Sequence, residues 1–164
     1  MAWIYLQHDR FTSLGAAISK IALLLIGFAY CFEVVARYFF NSPTSWANES
    51  VSYFLCAMIF LMMPQLAKDK GHVAVTIILD SVSPRKQVYF RVLVALTSFV
   101  FCLIAAWFML DETIRQFEKE IMVMAVNPIP KWWVSMVLPY GLLGAAFYFL
   151  RQFLDEFGSQ QSPT

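Results

Sequence analysis

Hydrophobic residues along this chain are gathered into four long runs separated by polar stretches. Ser50 to Ala67, Val92 to Leu110 and Trp132 to Leu150 contain no Asp, Glu, Lys, Arg or His, and Ile21 to Phe40 contains only Glu33 and Arg37. Each run is eighteen to twenty residues long. An apolar helix needs roughly twenty residues, at about 1.5 Å each, to cross a hydrocarbon core about 30 Å thick. The pattern predicts an all-α membrane protein with four transmembrane helices, over about 14–40, 50–67, 87–110 and 131–151, in a single domain.

The segments between the runs have their own pattern. Val75, Ile78, Leu79 and Val82 share one helical face, with Thr76, Asp80 and Ser83 elsewhere around the wheel, which predicts a short surface helix over about 73–83. Ile114, Phe117, Ile121 and Met124 repeat the idea over about 112–125, before Asn127-Pro128-Ile129-Pro130 breaks the pattern. Met1 to Leu14 interleaves Trp3, Ile4, Tyr5, Leu6 and Phe11 with His8, Asp9 and Arg10, so residues 1–13 read as an interfacial segment, with a frayed terminus as the alternative. Ser42 and Ser83 stand where they could cap helices opened by Pro43 and Pro84.

Composition agrees with the pattern. The chain is 60% hydrophobic, 17% aromatic and 14% charged, against about a quarter charged in soluble domains. The net charge of +1 conceals an asymmetry. With both ends inside, the inner side holds Arg10, Lys20, Lys68, Lys70, Arg85, Lys86, Arg91 and Arg151, and the outer side keeps Arg37, Arg115, Lys119 and Lys131. Short-loop Lys and Arg collect on the cytoplasmic side, so the expected topology is N-in and C-in. The first run is too long for a signal peptide and no small-residue cleavage site follows it, so it is expected to remain as an anchor. Lys68, Lys70, Arg85 and Lys86 flank the inner surface helix and suit lipid headgroups.

Candidate chemistry is sparse. Cys31, Cys56 and Cys102 fall in different runs without a C-x-x-C pair, and read as small packing residues. His8 and His72 lie outside the runs, which excludes a transmembrane b-type haem. No HExxH, phosphate-binding glycine loop or nucleophile elbow is present, so no enzyme, cofactor or metal site is expected, and no nucleic-acid partner. Run centres made of Leu, Val, Ile, Phe and Ala also lack the polar groups and broken helices of a self-sufficient transporter. Pro139, Gly141 and Gly144 predict a kink and a close helix contact in the last run, with Gly141 and Ala145 as a small-xxx-small step.

Glu33 and Arg37 are the charges placed within a span, four residues apart in the order that favours a helical pair. Intramembrane charges are functional candidates by default. Arg37 lies near the outer end, where its stem can snorkel to water. A structural ion pair, a contact with a partner subunit and a proton or ion site all stay open.

Ala36-Arg37-Tyr38-Phe39-Phe40-Asn41-Ser42-Pro43, then Trp46 and Glu49, then a span ending in Lys68-Asp69-Lys70-Gly71-His72-Val73, resembles the small membrane subunit of tripartite ATP-independent periplasmic (TRAP) transporters. The Ser83-Pro84 restart and the Pro-Trp entry to the last helix extend the resemblance over nearly the whole chain. One departure is visible: members often carry two acids shortly after the tryptophan, where Asn48 precedes a lone Glu49 here. The resemblance implies a multi-pass protein of the bacterial inner membrane with two partners. These are a large multi-helix subunit that holds the sodium and solute sites, and a periplasmic solute-binding protein that delivers an organic acid. It further implies that this chain scaffolds the large subunit, with Arg37, Trp46 and Glu49 as partner contacts. Two rivals remain, a small proton-coupled exporter using Glu33 and a general membrane adaptor.

Overall fold

The computed structural model describes residues 2–42, 44–70, 84–125 and 128–159. They form helices α1 (Ala2–Phe39), α2 (Ser45–Lys70), α3 (Pro84–Glu118), α4 (Lys131–Ser135) and α5 (Val137–Ser159). Four stretches of this structure are long and apolar enough to cross a membrane: His8–Phe39, Trp46–Asp69, Tyr89–Glu118 and Lys131–Asp155. The four-span, all-helical architecture expected from the runs is the one observed. Between α3 and α4 an isolated antiparallel bridge joins Met122 to Pro130.

Packing follows membrane rules. In lipid, large apolar side chains gain little by leaving the bilayer, whereas small ones allow two backbones to approach. Accordingly α1 turns Thr12, Ala16, Ser19, Ala22, Glu33 and Ala36 inward and leaves Leu24, Phe28 and Phe39 largely exposed. The two buried hydroxyls return to their own helix, Thr12 Oγ1 donating to the His8 carbonyl and Ser19 Oγ to the Gly15 carbonyl, both at 2.9 Å. Elsewhere many buried positions are again small, Ala47 and Val51 on α2, Ala95 and Ala106 on α3, Ala145 and Ala146 on α5, with Pro64, Gln116, Leu142 and Tyr148 as larger buried residues.

The helices stand in a row. α1 packs on α2, α2 on α5, and α5 on α3, so α1 and α3 are the two ends of the row. Two prolines shape its centre. Pro64 lies inside α2 and is fully buried against α5, where a methyl group on Gly144 would stand 2.6 Å from its Cγ. Pro139 has no N–H to give the Ser135 carbonyl, and the last span breaks there into α4 and α5, as the predicted kink requires.

Several boundaries differ from the sequence expectation. α1 is one continuous 38-residue helix that takes in residues 2–13. Within this stretch His8 and Asp9 meet Tyr148 of α5, and Asp9 meets Lys68 of α2. α3 runs on to Glu118, through the first part of the segment 112–125. Glu112 holds Arg115 and Gln116 on consecutive turns there. Helix α3 then ends where Glu120 adopts a φ of 47° and the Ile121 and Glu120 N–H groups return to the Gln116 and Phe117 carbonyls. Helix α2 starts at Ser45 rather than at Pro43, since Asn41, at a φ of 50°, turns the chain out of α1 and Thr44 is drawn to Glu33. Pro84 opens α3 as expected. The predicted surface helix over 73–83, with His72, lies outside the described residues, as does Pro43.

Candidate functional site

Polar side chains collect at the two ends of the α1–α2 pair. At the end near the connecting turn, Glu33 is buried and Arg37 covers it: Arg37 Nη2 donates to Glu33 Oε1 at 2.9 Å while the Arg37 side chain stays 60% exposed. The helical spacing places these groups one turn apart, as the Glu-before-Arg order predicts. The second oxygen of Glu33 accepts from the Thr44 backbone N–H at 2.9 Å and from the Thr44 hydroxyl. A carboxylate of α1 therefore satisfies backbone and side-chain donors at the entry to α2. This binds Glu33 into the turn between the helices.

Trp46 follows on the first turn of α2, its ring 5.8 Å from that of Phe32 on α1, with 44% of the residue exposed. Glu49 lies on the next turn and is half-buried. Sequence reasoning placed Arg37, Trp46 and Glu49 together, and the fold puts all three at this one end of the α1–α2 pair. It missed Thr44, whose role depends on how the chain turns after Asn41.

A second cluster was not foreseen. Asp9 on α1 accepts from Lys68 Nζ of α2 at 2.9 Å and from the Tyr148 hydroxyl of α5, and Arg151 Nη1 stands 3.8 Å away. His8 packs its ring on Phe147 and Tyr148 at 4.4 and 4.7 Å. Lys68 also lies 5.9 Å from the centre of the Tyr148 ring. Three helices thus meet on one carboxylate. Neither Asp9 nor Tyr148 carried a sequence signal, because 139 residues separate them. Of Lys70, Arg85 and Lys86 only the backbone positions are described, at the end of α2 and in the first turn of α3.

A third polar contact ties α3 to α4. Gln116, 3% exposed, accepts from Ser135 Oγ at 2.7 Å and donates to Glu112 at 2.9 Å. Phe117 and Trp132 also meet edge to face at 5.3 Å, and Trp132 and Trp133 at 5.9 Å. Aromatic rings and a buried hydrogen bond thus both join α3 to α4 at this end. The three cysteines are free thiols on different helices.

Glu33, Asp9, Lys68 and Gln116 lie near the ends of their helices, and Tyr148, midway along α5, lies toward the end of the span Lys131–Asp155. The stretch between these clusters is mostly apolar and packed through small residues. Comparison with curated proteins gives no match. The family model described as tripartite ATP-independent periplasmic transporters, DctQ component, matches residues 25–158. The match takes in Glu33, Arg37, Thr44, Trp46, Glu49, Lys68, Tyr148 and Arg151, and leaves out His8 and Asp9. Covering well over half of the sequence, it shows that this multi-pass membrane chain belongs to the DctQ family, the small permease component of the TRAP transporters.

Proposed function

We propose that this chain is a non-catalytic brace for the large membrane subunit of a TRAP transporter, and that it helps dock the periplasmic binding protein during sodium-driven uptake of an organic acid. The observation that carries the reading is the row arrangement, in which α1 packs on α2, α2 on α5 and α5 on α3. Such a row presents broad faces, and the start of α1 also reaches across to α5. A solute path needs polar groups enclosed near the midplane, and the polar clusters among the described residues lie toward the ends of the spans. Broad apolar faces suit lipid on one side and a larger helical protein on the other.

In this reading the chain lies in the bacterial inner membrane with both termini in the cytoplasm. Arg37, Trp46 and Glu49 then face the periplasmic side, where Arg37 extends from a buried Glu33 as an exposed cation available to a partner. Solute selectivity belongs to the other two components. The chain should copurify in mild detergent with a large subunit encoded beside it, and uptake into liposomes should need both membrane subunits plus the binding protein. Solute flux through liposomes holding this chain alone, abolished by Glu33→Gln, would reject the brace and favour a small exporter.

A further inference from the structure

An apolar groove of about 570 Å³ runs between α1 and α5, with Leu61 of α2 as its floor and Phe11, Leu14, Ile18, Met136 and Tyr140 on its walls. Its wall residues are open to the surroundings, Leu14 at 60% and Met136 at 57% exposure. At one end the Tyr140 hydroxyl donates to the Phe11 carbonyl at 3.2 Å. Just beyond that point α1 and α5 present Asp9, Tyr148 and Arg151, and α2 presents Lys68. A greasy slot therefore ends on a polar rim.

We propose that this groove holds an acyl chain of a zwitterionic glycerophospholipid, drawn from the leaflet on the side of the chain termini, with its headgroup on Lys68, Arg151 and Asp9. Depth is the first argument. From Val137 to Tyr148, α5 rises about 16 Å at 1.5 Å per residue, which is about half of a 30 Å hydrocarbon core and so one leaflet.

Width is the second argument. A partner helix about 10 Å across would displace on the order of 800 Å³ over the roughly 10 Å that the lining covers from Phe11 to Ile18, more than the groove holds. An extended hydrocarbon chain about 5 Å wide displaces on the order of 200 Å³, given carbon contacts near 4 Å. The groove takes a chain of this width in full, whereas a helix would seat only in part.

Charge is the third. Lys68 and Arg151 are answered by Asp9 and Asp155, so the rim carries two groups of each sign. The side chains of Lys68, Arg151 and Asp9 are 41%, 34% and 35% exposed, within reach of a headgroup. A balanced rim complements a phosphate and an ammonium on one molecule better than a headgroup of net negative charge. The inference needs only a membrane-spanning chain, and is independent of whether that chain braces a larger subunit.

The test is native mass spectrometry of the full chain released from nanodiscs of equimolar phosphatidylethanolamine and phosphatidylglycerol. The expected result is one retained phosphatidylethanolamine per chain. Met136→Trp, which fills the groove from an exposed position, lowers retention by about tenfold or more without changing the thermal unfolding temperature. Leu14→Trp does the same from the opposite wall, should Met136→Trp fold poorly. Leu24→Trp, on an exposed face outside the groove, retains lipid as the unmodified chain does. Equal retention in the groove-filled variants, or preferential retention of phosphatidylglycerol, overturns the proposal. So does a photo-crosslinker at Met136 that couples to a partner protein rather than to lipid in the assembled transporter.

Discussion

Gly141 of α5 crosses Phe60 of α2 so closely that a methyl group on Gly141 would stand 2.2 Å from the Phe60 carbonyl oxygen. The approach is possible because of Pro64. Proline has no N–H to offer the carbonyl four residues earlier and pushes that carbonyl aside, so the oxygen of Phe60 faces a neighbour that carries no side chain. Proline on one helix and glycine on the other thus make a single crossing point at the centre of the row.

Gly141→Ala should therefore separate α2 from α5 and destabilise the chain by about 1–3 kcal/mol, the usual range for forcing an extra carbon into a packed contact. Thermal unfolding in detergent measures it, with Gly27→Ala as control, since a methyl group there meets nothing within 4 Å. Equal unfolding temperatures for the two variants would show that the crossing tolerates the added carbon.

Glu33 and Arg37 should differ in what their removal costs. Glu33→Ala strands both the Thr44 N–H and its hydroxyl, whereas Arg37→Ala leaves Glu33 still bonded to Thr44. The expected order of unfolding temperature is unmodified chain close to Arg37→Ala, with Glu33→Ala clearly below. A loss in Arg37→Ala as large as in Glu33→Ala would mean that the ion pair, and not the turn, carries the stability.

Charge reversal at Arg37 is expected to act on assembly rather than on folding. The guanidinium is mostly exposed while its partner Glu33 is buried and held by Thr44, and a like-charge pair four residues apart on a helix costs only about 0.2–0.5 kcal/mol. Arg37→Glu should thus unfold at nearly the same temperature while copurifying poorly with the large subunit. Undiminished copurification would remove Arg37 from the partner surface.

Asp9 joins α1 to both α2 and α5 through partly exposed groups. Asp9→Ala should cost about 1–2 kcal/mol, from one ion pair of modest strength and one hydrogen bond to Tyr148. It should also let the start of α1 swing free, which spin labels on α1 and α5 would detect as a broadened distance distribution. Tyr148→Phe should broaden the distribution less, because Lys68 still holds Asp9.

The amino-acid order by itself determined the four spans, the Glu33–Arg37 pair, the restart at Pro84 and the kink before Pro139. These depend on hydrophobic run length, helical spacing and the missing proline N–H, all of which are local. Family membership was legible for a related reason, since Ala36 to Pro43, Trp46, Glu49, Lys68 to Val73 and the Ser83-Pro84 restart are short motifs read in order along the chain. The fold alone decided that Thr44 closes on Glu33, that Asp9 gathers Lys68 and Tyr148, and that Gly141 meets Phe60. It also decided that α1 takes in residues 2–13 and that α3 runs through the first part of the segment 112–125. In a membrane, hydrophobicity places a helix in the bilayer without choosing its neighbour. That choice falls to small residues and a few polar groups, whose partners lie far along the chain.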